Sequence, residues 1–201
     1  MAATADKLQE QEPKKAYNQD EDIECVLWTA ADIEKRVAEL GAEISRDYSG
    51  IPIVLIGVAT GAVMFLADLM RKLSIPVLVD FVRVQSYGNQ TQSSGVATIS
   101  TDVKISIKDK HVLVVEDIID TGITLSKLVK HLATKEPASV SVCALLDKIS
   151  RRVIPLQLSE GSRFYRGFEC SDNFVVGYGM DFAELYRNLA YIGVLKPDIY
   201  S

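Results

Sequence analysis

Two adjacent carboxylates, Glu116 and Asp117, are followed three residues on by Asp120 and then by Thr121-Gly122-Ile123-Thr124. Paired acids can hold hydroxyls or a hard cation. A third acid can accept a proton, and two Thr hydroxyls beside successive backbone N–H groups can hold a phosphate monoester. Any one of these residues alone reads as a solvated strand end or a helix cap, but the whole string rarely arises by chance. It is not a Walker A loop, because the G-K-[ST] ending is absent, and it lacks the three spaced glycines of a dinucleotide fingerprint. Only His111 and His131 are available, and Cys25, Cys143 and Cys170 stand in no metal spacing, so zinc and triad chemistry have little to work with. His111, at a strand start, reads as structural.

The elements that must position this string are a strand and the helix it runs into. Residues 111–115 form a short, β-branched apolar run of the kind found in buried strands. The acids then fall at the strand's carboxyl end, where open α/β sheets bind their ligands, and the Thr-Gly turn opens a helix whose positive dipole end suits a phosphate. Gly122 lets the backbone approach closely. Residues 51–58, the Gly57-Val58-Ala59-Thr60-Gly61 turn and a helix over 62–73 repeat the pattern. Pro76 precedes a third strand, 77–84, and strands at 139–146 and 174–178 complete a mixed but largely parallel sheet, an α/β fold. Upstream, Thr29 reads as the N-cap of a helix with Asp32 in its first turn and Ile33, Val37, Leu40 and Ile44 on one face. Residues 86–102 are polar and without helical periodicity. Connections longer than about 12–15 residues are uncommon unless they are lids, binding loops or weakly paired hairpins, and Tyr87 near the start favours a mobile cover.

Length and composition suit one domain with a sizeable core: 201 residues, 48% apolar and 24% charged. Residues 1–21 are polar and of mixed charge and are expected to be a disordered tail, which leaves 22–201 as the single domain. No apolar stretch approaches the ~20 residues of a membrane span. The N-terminus has no positive region followed by an apolar core, so no secretory signal is expected. A net charge of −5 argues against nucleic acid or an anionic membrane as the main partner. An odd number of scattered thiols suits a reducing compartment, and a cytoplasmic address is the default.

The string HVLVVEDIIDTG resembles the 5-phosphoribosyl pyrophosphate (PRPP) signature of the type I phosphoribosyltransferases, and EDIIDTG is especially similar to their hypoxanthine-guanine branch. The resemblance runs from about residue 23 to 187. It implies that fold: a largely parallel sheet flanked by helices, a small hood built from both ends of the chain, and a flexible loop led by Ser86-Tyr87. It implies that Glu116 and Asp117 face the ribose hydroxyls and, with Asp181, hold Mg²⁺. Asp120 is implied as the general base toward the purine, and Asp120, Thr121, Gly122, Ile123 and Thr124 as the 5′-phosphate cradle. Ala59-Thr60-Gly61 corresponds to the pyrophosphate turn, where a non-proline cis peptide is expected between Ala59 and Thr60, and Arg187 is implied to reach the pyrophosphate. On the purine side it implies that Lys148 contacts the O6 carbonyl, Phe174 stacks on the ring, Val175 gives backbone contacts to the base edge and Asp181 borders the base. Arg152 matches a basic position behind the loops. Two positions depart from the commonest pattern, because Ile123 and Thr60 stand where relatives often carry Lys or Arg.

The function so implied is Mg²⁺-dependent purine salvage, in which hypoxanthine or guanine plus PRPP give IMP or GMP plus pyrophosphate. The partners are small molecules, and assembly as a homodimer or homotetramer is expected, with apolar surface at Val63, Phe65 and Leu66. Two other readings stay open: a xanthine-preferring transferase on the same fold, and a non-catalytic regulator that senses PRPP or nucleotides. The regulator would need a basic face or a DNA-binding segment, and the chain shows neither.

Overall fold

The computed structural model describes residues 19–87 and 96–200; the expected tail falls largely on residues 1–18, outside the described residues. Residues 19–21, assigned to that tail, begin a short helix instead, α1 (Gln19–Asp22).

The larger of two sheets holds β2 (Ile53–Ala59), β3 (Val77–Tyr87), β4 (Val96–Thr101), β5 (His111–Ile119), β6 (Ser139–Asp147) and β7 (Phe164–Glu169). Its spatial order is β4-β3-β2-β5-β6-β7, parallel throughout except for the antiparallel β3/β4 pair at one edge. Helices cover both faces, which is why the central strands are apolar without interruption: all nine residues of β6 are buried. On one face, α2 (Ala30–Asp47) and α3 (Val63–Lys72) pack against Leu55, Leu113, Val115, Cys143 and Leu145. On the other, α4 (Ile123–Ala133) sets Leu125, Leu128 and Leu132 against Val54, Ile56, Val112, Val114 and Val142. Alternate residues of each strand thus serve opposite faces.

Helix α2 starts where the sequence places it. Thr29 accepts from the Asp32 backbone N–H, and Asp32 accepts from the Thr29 backbone N–H at 3.0 Å, a complete capping box. Such a cap is worth ~1 kcal/mol, against roughly 2 kcal/mol for each buried Ile or Leu. Burial of Ile33, Val37, Leu40 and Ile44 therefore holds the helix, and the cap sets its first residue.

Several expectations need correction. The strand expected at 174–178 is only β8 (Val175–Val176) and does not join the main sheet. It pairs antiparallel with β9 (Ile192–Leu195), which pairs antiparallel with β1 (Ile23–Trp28), giving a separate three-stranded sheet. The main sheet is completed instead by β7, which pairs parallel to β6. Strand β3 continues past residue 84 to Tyr87 and pairs with β4, Ser86 opposite Ala97 and Tyr87 opposite Val96. The flanks of the expected loop are thus a hairpin. Its centre, 88–95, lies outside the described residues, as do the side chains of Ser86 and Tyr87. Phe65 and Leu66 are not surface residues but are consumed by this chain's own core, at 0% and 2% exposure; on the same helix Val63, Met64 and Met70 are the exposed apolar residues. Cys25 is exposed, whereas Cys143 and Cys170 are buried, and burial pushes those two thiols up, away from reactivity. His111 is structural, its Nδ1 2.8 Å from the Ser139 hydroxyl.

No described helix is long and apolar enough to cross a membrane.

Candidate active site

The signature string sits on a strand that outlasts its neighbour. Strand β5 runs to Ile119, four residues beyond its expected end, because β6 keeps pairing with it to Ile119 opposite Asp147. On the other side the pairing with β2 ends at Gly57 opposite Val115. Glu116 and Asp117 therefore lie inside β5, Glu116 opposite Ala144 of β6 and both past the last pair on the β2 side. The turn after β2 comes across that open flank. A Cβ built on Gly61 would lie 1.7 Å from Asp117 Oδ2, so only glycine lets the turn and the acid pair meet. The peptide between Ala59 and Thr60 is cis, as the resemblance implies.

Glu116 is buried and its proton affinity is raised well above the ordinary value, first by desolvation and then by the adjacent Asp117 charge. Asp117 is also raised by desolvation, which outweighs its hydrogen bonds and the pull of Arg187. The two acids are adjacent in the chain and raise or lower one another's proton affinity, so they titrate together. The stability consequence follows from the direction. The native state keeps a proton that the unfolded chain gives up near pH 4.5, so this contribution is present below that pH and is lost as pH rises through the folded value. Glu116→Gln is accordingly expected to raise the melting temperature at neutral pH and to flatten its fall with pH, by about 2–4 °C for each kcal/mol of desolvation relieved. Thermal unfolding from pH 4 to pH 8 reads this directly; a melting curve as pH-dependent as wild type would place the raised group elsewhere.

Beyond β5 the chain turns at Asp120-Thr121-Gly122 into α4. Gly122 caps that helix at φ 81, and its α-hydrogen faces Arg152 Cδ and Ile154 O, where a Cβ would be 2.8 and 2.7 Å away. The turn is held from behind: Thr121 O accepts the N–H groups of Val153 and Ile154 at 3.0 and 3.1 Å. A cavity of 160 Å³ opens over it, lined by Glu116, Asp117, Asp120, Thr121, Gly122 and Thr124. Ile123 lies in the first turn of α4 but is not among the residues lining this cavity. Larger grooves of 390 and 410 Å³ lie between α2 and α3 and at the amino ends of β2 and β5, away from the acid pair.

Lys148 follows β6 directly. Its backbone N–H donates to Ile119 O at 2.9 Å, which ties it to the end of β5, and its Nζ donates to Asn173 O at 2.7 Å. That contact ties the start of the 173–181 segment to the end of β6. Phe174 is stacked on one face by Tyr200, with centroids 4.6 Å apart and planes 19° apart, and its plane is nearly perpendicular to that of Phe182, with centroids 5.6 Å apart. Val175 belongs to the small sheet opposite Val194. Arg187 is already engaged: Nη2 lies 2.8 Å from Asp181 Oδ1 and 2.9 Å from Glu184 Oε2, and Nη1 donates to Gly179 O at 2.8 Å. Among the described residues no three His, Cys, Asp or Glu side chains converge as a metal cluster, so Glu116, Asp117 and Asp181 do not form a closed protein cage.

Sequence reasoning overlooked two side chains. The Arg151 Nε donates to Asp120 Oδ1 at 3.1 Å and lies 3.6 Å from Asp172 Oδ1. Its signal was the Arg-Arg pair three residues after Lys148, which a single turn of 3₁₀ helix (Ile149–Arg151) folds back over the site. Tyr200 reaches Phe174 from α5 (Pro197–Tyr200), a contact that no local pattern announces. Arg152 is where the resemblance puts it, behind the loops, its Nε donating to Asp120 O at 3.4 Å and its guanidinium paired with buried Asp147.

Comparison with known proteins agrees with this geometry. Residues 29–183 match the family described as phosphoribosyl transferase domain. A hypoxanthine-guanine phosphoribosyltransferase of Bacillus subtilis (strain 168) is 45% identical over 180 residues, covering 90% of this chain and 97% of the relative. One of Staphylococcus aureus (strain N315) is 42% identical, with 90% and 98% covered. A crystal structure of a hypoxanthine phosphoribosyltransferase from Staphylococcus aureus is similar with a TM-score of 0.83 at 41% identity, over 90% of this chain and 96% of that one.

Proposed function

The chain belongs to the phosphoribosyl transferase family, and from that premise we propose that it converts hypoxanthine or guanine and PRPP into IMP or GMP and pyrophosphate, the transfer step of purine salvage. The single observation that carries the reading is a cavity at the carboxyl end of β5 that is lined at once by the acid pair, Asp120 and the Thr121-Gly122 turn. A xanthine-preferring transferase and a non-catalytic regulator stand behind it, because relatives at 42–45% identity carry the hypoxanthine-guanine name.

The chemistry follows from what departs. Loss of pyrophosphate from the anomeric carbon leaves positive charge on the ribose. Glu116 and Asp117, facing the ribose hydroxyls, offer negative charge beside it. Purine N9 forms the new bond to that carbon as the bond to pyrophosphate oxygen breaks, and the Asp120 carboxylate takes the proton from N7. The backbone of Asp120 to Thr124, with the Thr121 and Thr124 hydroxyls, holds the 5′-phosphate at the head of α4. Lys148 donates to the purine O6, which favours 6-oxopurines over a 6-amino base. Phe174 has Tyr200 on one face, and its other face takes the purine, with Val175 at the base edge and Asp181 alongside.

The donor set suits Mg²⁺. It consists of hard carboxylate oxygens with no closed cage, and Mg²⁺ characteristically keeps its waters and its substrate's phosphates while leaning on one or two carboxylates. Glu116 and Asp117, or Asp181, would hold it rather than all three at once, and when bound it would neutralise the leaving pyrophosphate. Burial has raised the proton affinity of the first two, and a cation or a pair of ribose hydroxyls relieves that penalty.

Assembly as a homodimer or homotetramer is supported by apolar residues at the surface of α3 and β3, including Val63, Met70, Leu78 and Phe81, each 39–44% exposed. The free thiols support a cytoplasmic setting. The reading is tested by omission: IMP is expected only when PRPP, Mg²⁺ and hypoxanthine are all present, with pyrophosphate formed in equal amount. Pyrophosphate release without nucleotide would point to hydrolysis instead.

A further inference from the structure

A pyrophosphate site needs positive charge, yet the turn after β2 carries none: Ala59, Thr60 and Gly61 are all neutral. Arg187, on the far side, has its guanidinium divided between Asp181, Glu184 and a backbone carbonyl. Arg151 and Arg152 are likewise engaged by Asp120 and Asp147.

One cation near the turn is differently placed. Arg83 lies on β3 directly opposite Ala59 of β2 in the parallel ladder. Its Nη2 donates to the Thr60 hydroxyl at 3.2 Å. The residue is exposed, and among the described residues it forms no ion pair with a carboxylate. A guanidinium has five N–H donors in a planar fork, so one bond to Thr60 leaves most of the fork for an anion. The next residue along the turn, Gly61, is pressed against Asp117. The Thr60 hydroxyl thus ties the Arg83 guanidinium to the turn whose next residue meets Asp117.

Resting on the transferase reading, we infer that Arg83 binds the pyrophosphate group in this chain, supplying from the neighbouring strand the positive charge that the turn itself lacks, with Thr60 as the hydroxyl that orients it. The partition of labour is physical. The turn gives backbone donors at close range, and the strand beside it gives charge and a bidentate fork. The competing role for the same hydrogen bond is a pin that only steadies the turn.

The two roles separate by experiment. Arg83→Gln is expected to raise KM for PRPP about tenfold, the worth of one charge-assisted hydrogen bond, and to weaken magnesium pyrophosphate in calorimetric titration by about the same factor. KM for hypoxanthine stays near wild type. Adding Thr60→Lys in that background returns a charge to the turn and is expected to restore both values. Thr60→Val keeps Arg83 but removes its anchor, and its expected weakening of magnesium pyrophosphate does not depend on Arg83→Gln folding. Equal magnesium pyrophosphate affinity in wild type and Arg83→Gln overturns the inference, and so does a loss that Thr60→Lys leaves unrepaired. A wild-type chain that binds magnesium pyrophosphate through Arg83 but makes no nucleotide would sink the transferase reading and leave the inference standing.

Discussion

Replacing Asp120 with Asn is expected to lower kcat by about two to four orders of magnitude, the usual range for a positioned general base, while IMP affinity stays near wild type. Asn has the shape of Asp but cannot take the N7 proton. The backbone of residue 120 keeps its place, because its carbonyl is held by Arg152 and the turn behind it by Val153 and Ile154. The phosphate cradle should therefore survive the substitution, and only the proton transfer should suffer. Steady-state kinetics and a nucleotide titration on the same protein make the distinction. Unchanged turnover would remove Asp120 from the mechanism, and a raised KM at constant kcat would make it a binding group. The ion pair with Arg151 does not weaken this expectation, since both side chains are about 43–44% exposed and a surface pair is worth little.

Gly61→Ala is expected to lower kcat/KM for PRPP by about a hundredfold, the scale of a misplacement of about 1 Å at a reacting centre. The Cβ would stand 1.7 Å from Asp117 Oδ2 and 2.7 Å from its Cγ, and neither side can yield freely. Asp117 Oδ1 accepts the Ile118 backbone N–H at 2.9 Å, and Asp117 couples to buried Glu116. Relief must come from moving the turn, which carries the donors proposed for the pyrophosphate. Kinetics with PRPP and hypoxanthine varied separately, with a melting curve as control, locate the damage. Wild-type PRPP kinetics in this variant would mean that the turn and the acid pair do not work as one unit.

The parts of the fold that sequence alone revealed are those written locally. The capping box at Thr29 and Asp32, the 3.6-residue spacing of Ile33, Val37, Leu40 and Ile44, and the apolar run before Glu116 each declare an element within a few residues. What escaped is set by partners distant in the chain. Strand β5 extends to Ile119 only because β6 is there to pair with it. The two residues of β8 are a strand only because β9 lies alongside, and β9 itself is held by β1 from the other end of the chain. Phe65 and Leu66 looked like surface because their helix is amphipathic, but periodicity does not say that the sheet and α2 cover that side. The site divides in the same way. The signature string was read as phosphate chemistry from its residue types, and that reading stands as a proposal, whereas the Arg151 contact to Asp120, the Tyr200 ring on Phe174 and the reach of Arg83 to Thr60 depend on tertiary folding.

The most direct test of the central claim is a turnover assay with PRPP and Mg²⁺ in which hypoxanthine, guanine, xanthine and adenine are offered separately and the nucleotide products are resolved. IMP and GMP in quantity, with little AMP, is the predicted result, because Lys148 is proposed to donate to O6 and a 6-amino group cannot accept that bond. Turnover with none of the four bases, in a protein that still binds PRPP or nucleotides, would contradict the account and make a non-catalytic sensor the better description.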